Sequence, residues 1–127
     1  MCTCLSQASI IMVGGGMMKG YKDCVINVDL TEGIITKEKL NPDYIKKYMG
    51  GEGYGIALLW NEMPHDAEPL SPDNILSFNT GPMTGTPTPS ASRTSVCFIS
   101  PLTNTIGASN VGSHFGAELK FAGYDTV

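Results

Sequence analysis

The apolar and polar positions fall into a readable order from Cys24 onward. Cys24-Val25-Ile26-Asn27-Val28-Asp29-Leu30 is rich in β-branched residues and predicts a strand. Thr31-Glu32-Gly33 is a turn, and Ile34–Glu38 returns as the second strand of a hairpin. Asn41-Pro42 opens a helix, Asn as N-cap and Pro at the first helical position. Tyr44, Ile45, Tyr48 and Met49 share a face of that helix, and Gly50 closes it. Ile56–Trp60 is apolar and predicts a buried helix. Pro64, Pro69 and Pro72 make Met63–Asn74 a loop. Ile75–Phe78 predicts a short buried strand and Asn79–Ser92 a long neutral loop. Arg93–Ser100 alternates as a strand, Pro101–Asn104 turns, and Thr105–Ser109 pairs back. Asn110–Ser113 leads into a helix with Ser113 as N-cap and Phe115, Leu119 and Ala122 as its apolar stripe. Tyr124–Val127 starts a further strand. Short strands mixed with short helices give an α+β, sheet-rich class.

Glycines at 50, 51, 53 and 55 interrupt this pattern. They lack the G-x-G-x-x-G spacing, and they follow a helix where a dinucleotide fingerprint must follow a strand. Nor is there a Walker-type phosphate loop anywhere. Two readings stay open. One is a joint between helices that needs positive φ; the other is a close backbone approach to a ligand at a helix N-terminus.

Between Asp73 and Glu118 the one charged side chain is Arg93. The rest is Gly, Ser, Thr, Asn, Pro and apolar residues, with His114 and Cys97 the other titratable groups. A guanidinium is costly to bury alone. Arg93 is therefore a surface residue, or pairs with a carboxylate outside the segment, or closes a socket for an anionic ligand whose other donors are backbone N–H groups.

Charge narrows the partners. Of 127 residues, 8 are Lys or Arg and 12 are Asp or Glu, a net charge of −4. Neither nucleic acid nor an anionic membrane surface suits such a chain. Hydrophobic content of 42% and mean hydropathy near zero describe a globular protein. Cysteines at 2, 4, 24 and 97 match neither a zinc ribbon nor an iron–sulfur motif, and read as reduced thiols in a cytoplasmic protein. Residues 1–16, ending in Gly14-Gly15-Gly16, lack such patterning and read as a non-native or disordered extension, with translation expected to start at Met17-Met18.

Residues 20–127 resemble the N-terminal domain of the aldehyde ferredoxin oxidoreductase family, the tungsten (sometimes molybdenum) bis-pterin enzymes. The residues that carry the resemblance run collinearly through the chain. They include Val28-Asp29-Leu30-Thr31-x-Gly33, Tyr48-x-Gly50-Gly51-x-Gly53 and Pro69-Leu70-Ser71-Pro72-x-Asn74. Thr80-Gly81-Pro82-x-Thr84-Gly85-Thr86, Ser100-Pro101-Leu102-Thr103 and Ser109-Asn110-x-Gly112 follow. Phe115-Gly116-x-Glu118-Leu119-Lys120-x-Ala122-Gly123-Tyr124-Asp125 completes the series.

The resemblance implies a saddle of β-sheet on which pterins sit. It casts Arg93 as the clamp on a pterin phosphate, with Asn110, Gly112 and Ser113 lining the seat. Two departures stand out: Ser113 replaces a second glycine, and Glu52 replaces an Arg common in the first glycine run. A carboxylate facing a phosphate is repulsive, so Glu52 is left outside the expected site. The family's enzymes are several times longer, and their [4Fe-4S] ligands and acid/base groups come from later domains. The chain thus reads as a fragment, 17–127 being the N-terminal domain, incomplete at its C-terminal end and inactive alone. The expected whole is an oxidoreductase that converts small aldehydes to carboxylic acids with ferredoxin as acceptor, its domain contacting the remaining domains of the same enzyme and able to form a homodimer. The alternatives are the metal subunit of a benzoyl-CoA reductase-type complex and a non-catalytic pterin- or phosphate-binding module.

Overall fold

The computed structural model describes residues 19–127. The expected extension over 1–16 and the proposed start at Met17 lie outside the described residues, as do Cys2 and Cys4. The elements run β1 (Val25–Asp29), β2 (Ile34–Glu38), α1 (Pro42–Tyr48), α2 (Gly51–Glu62), β3 (Ser77–Thr80), β4 (Thr94–Ile99), β5 (Ile106–Val111) and α3 (Phe115–Phe121). The α+β, sheet-rich class with a few short helices is what the pattern predicted.

β1 and β2 form the expected hairpin, with Asp29 opposite Ile34. The Asp29 carboxylate accepts the N–H groups of Thr31 and Glu32 at 2.8 and 3.0 Å, which fixes the turn. β3, β4 and β5 make an antiparallel sheet in that order. The segment Asp125–Val127 joins the two. Ile26 N–H donates to Thr126 O at 2.9 Å, and Thr80 N–H donates to Asp125 O at 3.0 Å. Thr126 runs parallel to β1 on one side and antiparallel to β3 on the other. This final stretch is thus flanked on both sides.

α1 begins where the sequence placed it: Asn41 Oδ1 accepts from Asp43 N at 3.0 Å and Tyr44 N at 3.4 Å. Its end differs. Met49, at φ 61°, takes the left-handed position expected of Gly50, while Gly50 at φ 124° is the N-cap of α2. The glycine run is therefore a joint only at its start. Gly53 lies inside α2 against Tyr48 of α1, and Gly55 lies where that helix presses on the sheet. A Cβ on Gly55 would sit 2.3 Å from Asn79 Nδ2 and 2.6 Å from Cys97 Sγ. α2 and its C-cap Met63 bury Tyr54, Leu58, Leu59 and Met63 with Val25, Leu40, Ile45 and Cys97 as the main core, whereas Ile56 and the 63% exposed Trp60 lie on the outer face of the helix.

Two strands are displaced from their expected positions. β3 covers Ser77–Thr80, not Ile75–Phe78, and buries Ser77, Asn79 and Thr80. Small polar side chains enter this core largely through hydrogen bonds, although Asn79 Oδ1 has no partner among the described residues. Asn79 Nδ2 donates to Ser77 Oγ at 2.9 Å, and Thr80 Oγ1 donates to Asp125 O at 2.8 Å. β5 continues through Asn110 and Val111, so Asn110 is a strand residue.

α3 also departs from expectation. Its N-cap is His114 in a helical conformation, with no side-chain cap, and Ser113 stands at φ 86° just before it. The stripe of Phe115, Leu119 and Ala122 is not its buried face: Gly116 and Lys120 are. Lys120 is buried because it pairs with Asp125, and its Nζ also donates to Gly20 O at 2.7 Å. Asp125 in turn accepts Lys22 N–H at 2.8 Å. Periodicity alone gives no sign of a buried ion pair on that face.

Candidate functional site

The β4–β5 ribbon brings the four sequence-selected residues to one end. Thr94 pairs with Val111 and Ser95 with Asn110. Arg93 immediately precedes that ribbon end, and Gly112 and Ser113 immediately follow it. Within β4, Ser95 and Cys97 share a face, and Arg93 lies one residue before the strand. That face meets α2: a Cβ on Gly51 would lie 3.5 Å from Ser95 Oγ, and Cys97 Sγ lies 3.7 Å from Glu52 O. The first turn of α2 therefore rests beside the same end of β4.

The donors at this end are of several kinds. Arg93 is exposed and makes no ion pair among the described residues. The first turn of α2 has no side-chain cap, because Gly50 has none to offer. The N–H groups there carry the positive end of the helix dipole. Gly112 faces open space; a Cβ built on it would meet nothing within 4 Å. Ser113, exposed at φ 86°, occupies a conformation that glycine adopts without strain.

Asn110 is held on both ends of its carboxamide. Ser95 Oγ donates to Asn110 Oδ1 at 2.7 Å, and Asn110 Nδ2 donates to Glu52 Oε2 at 3.4 Å. Glu52, set aside on sequence grounds, is thus a neighbour of the site. It serves as an acceptor for Asn110 and as a first-turn acid favoured by the α2 dipole. Ser95 was missed as well. Its β4–β5 register with Asn110 was the available signal, and misplacing the end of β5 hid it.

Behind Arg93 the loop from Gly81 is tied back on itself. Thr84 Oγ1 accepts Gly81 N–H at 3.1 Å and donates to Arg93 O at 3.1 Å. Gly85 N–H donates to Ala91 O at 3.0 Å. Beneath the site Cys97 is buried, and that burial, with Glu52 nearby, pushes its thiol up to about 11. Such a shift favours the protonated thiol at neutral pH, which makes Cys97 a poor nucleophile there. Burial likewise pushes Tyr54 to about 12. For Lys120, burial lowers the ammonium against the opposing pull of Asp125.

A cavity of about 460 Å³ lies at the other end of β4, lined by residues that include Asp66, Glu68 and Ile99. Its carboxylates make it a poor host for an anion. Among the described residues no three His, Cys, Asp or Glu side chains cluster to hold a metal, and no helix is long and apolar enough to cross a membrane. A guanidinium, uncapped helix N–H groups, an oriented carboxamide and an open glycine suit an anion such as a phosphate. The donor set fits a pterin phosphate, with Glu52 as its one opposing charge.

Residues 25–127 match the family model described as aldehyde ferredoxin oxidoreductase, N-terminal domain. The tungsten-containing aldehyde ferredoxin oxidoreductase of Pyrococcus abyssi is 46% identical over 110 residues, which is 87% of this chain and 18% of that protein. Its counterpart from Pyrococcus horikoshii shows the same identity and coverage. Among solved structures, the active-site complex BamBC of benzoyl coenzyme A reductase, in complex with 1,5-dienoyl-CoA, aligns with a TM-score of 0.83 and 38% identity. The alignment covers 87% of this chain and 17% of that one. The chain thus spans less than a fifth of the length of the relatives it matches.

Proposed function

The chain belongs to the aldehyde ferredoxin oxidoreductase family, as its N-terminal domain, and from that premise we propose that it seats a tungstopterin cofactor at the end of the β4–β5 ribbon. Arg93 holds the pterin phosphate, Asn110 and Gly112 line the ring, and Ser113 shapes the loop beside it. The observation that carries this reading is the convergence of Arg93, Asn110 and Gly112 at one ribbon end, beside an uncapped helix N-terminus.

When bound, the cofactor supplies the two-electron chemistry. The chain's own residues bind and orient it. Arg93 supplies a planar fork for two phosphate oxygens. Ser95 and Glu52 fix which way the Asn110 carboxamide faces. The protonated Cys97 leaves the floor of the site uncharged.

The whole enzyme converts a small aldehyde and water to a carboxylic acid, two protons and two electrons. A [4Fe-4S] cluster, whose ligands are not in this chain, would supply the one-electron chemistry that links such an oxidation to ferredoxin, in the cytoplasm. Support for tungsten and for an aldehyde substrate comes from the names of the relatives at 46% identity. The structural likeness to the benzoyl-CoA reductase complex favours a second reading, a metal subunit acting on an aromatic or dienoyl thioester. The test is a full-length protein carrying this domain, purified anaerobically and assayed for metal and pterin. Bound tungsten with aldehyde-dependent ferredoxin reduction supports the first reading. Dienoyl-CoA turnover without aldehyde turnover supports the second. A folded protein with neither pterin nor metal defeats both.

A further inference from the structure

We propose that Thr84 is the positioning residue for Arg93. Its single hydroxyl holds the Arg93 carbonyl in place and thereby aims the guanidinium at the anion. This rests on the cofactor-seating reading of Arg93 given above.

The geometry is a buried bridge. Thr84 is 7% exposed, although it lies in the loop between β3 and β4. Its Oγ1 accepts the Gly81 N–H at 3.1 Å and donates to the Arg93 carbonyl at 3.1 Å. One oxygen therefore joins the first residue after β3 to the last residue before β4. A hydroxyl can do this because it both donates and accepts; a thiol does so poorly and a methyl cannot. The loop needs this tie. Arg93 itself is exposed, so its side chain is not held by packing in the core. Ser90 at φ 63° shows that the returning limb turns sharply just before it.

α3 closes the bridge from behind. A Cβ on Gly116 would lie 3.1 Å from Thr84 Cγ2 and 2.2 Å from Thr94 Oγ1. The absence of a side chain at 116 lets the helix back the Thr84 methyl and the start of β4 together. Thr84 is thus clamped on its methyl side and committed on its hydroxyl side. A displacement of α3 would reach Arg93 through Thr84 as well as through the adjoining Thr94.

The test is a set of variants in a full-length protein carrying this domain, read as pterin and tungsten per mole of folded protein under limiting cofactor, with melting temperature measured alongside. Thr84→Val keeps the shape and removes the hydroxyl. It should weaken cofactor retention roughly 10-fold, the size expected when a hydrogen bond and its partner's satisfaction are both lost. Thr84→Ser keeps the hydroxyl and should retain the cofactor. If Val does not fold, Thr84→Ala removes the same group with less bulk and takes its place. A merely structural Thr84 is separated by the double variant. In an Arg93→Ala background, loaded at a series of raised cofactor concentrations so that the residual affinity is readable, Thr84→Val should lower the melting temperature as before but cost no further affinity. An equal further loss in that background overturns the proposal. So does full occupancy of Thr84→Val while Arg93→Ala loses cofactor, a result that leaves the role of Arg93 standing. Full occupancy of Arg93→Ala instead removes the seating reading, and this proposal with it.

Discussion

Replacing Gly55 by Ala sets two effects of opposite sign against each other. Ala is favoured over Gly in a helix interior by about 1 kcal/mol. Gly55 lies well inside α2, so propensity alone predicts a more stable protein. Packing predicts the reverse. The new methyl would sit 2.3 Å from Asn79 Nδ2 and 2.6 Å from Cys97 Sγ. Both neighbours are fully buried on adjacent strands, so neither can swing aside. Helix α2 must lift from the sheet, and overpacking of this kind costs about 1–3 kcal/mol. The net expectation is a loss of up to about 2 kcal/mol after the helix gain is deducted. The lift would also move Glu52 away from Asn110, which coordinates a stability change with a change at the site. Denaturant unfolding monitored by circular dichroism reads the first effect. A second variant sharpens it: Cys97→Ala opens room beside residue 55, so Gly55→Ala should be less harmful in that background. A Gly55→Ala protein more stable than its parent would refute the close-packing argument.

Other expectations concern separate parts of the fold. Ser113→Gly should stabilise by up to about 1 kcal/mol, since it relieves a non-glycine residue at φ 86°; an unchanged or lower melting temperature counts against strain there. Asp125→Ala leaves Lys120 buried without its partner and removes the acceptor of Lys22 N–H, so a loss of about 3–5 kcal/mol is expected in denaturant melts. Cys97 titrates near 9 when unfolded but near 11 when folded, so its contribution is intact below pH 9 and is lost as pH rises through 11. Stability should fall over that window, less steeply in Cys97→Ala, and native Cys97 should resist alkylation at pH 8; rapid labelling of the folded protein contradicts the burial.

The hairpin, the start of α1 and the β4 strand were legible because each is written in local chemistry. Asp29 and Gly33 make the turn, Asn41 and Pro42 make the cap, and β4 carries apolar β-branched residues. What escaped depends on partners distant in sequence. β3 buries Ser77, Asn79 and Thr80, polar residues whose burial makes sense only beside Asp125–Val127 and Ser95. Lys120 reads as a solvent-facing cation until Asp125 and Gly20 are seen around it. The candidate site was proposed through Arg93, a lone charge in a neutral stretch, with Asn110, Gly112 and Ser113 added by the family resemblance. Its supports, Thr84, Ser95 and Glu52, are ordinary residues made relevant by strand register and a loop closure. Glu52 was judged by charge alone, and its hydrogen bond to Asn110 is a property of the α2–β5 contact.

Arg93→Ala, in a full-length protein carrying this domain, tests the seating of the cofactor most directly. Truncating one side of a desolvated charge pair costs about 2–5 kcal/mol. That corresponds to roughly 30-fold to several thousand-fold in affinity. Arg93→Lys should recover only part, because an ammonium lacks the planar fork. The measurement is pterin and tungsten per mole of protein after dialysis against a chelator, with circular dichroism to confirm folding. The account predicts near-complete loss in Arg93→Ala and intermediate occupancy in Arg93→Lys. A folded Arg93→Ala protein that keeps its full tungsten and pterin would contradict it.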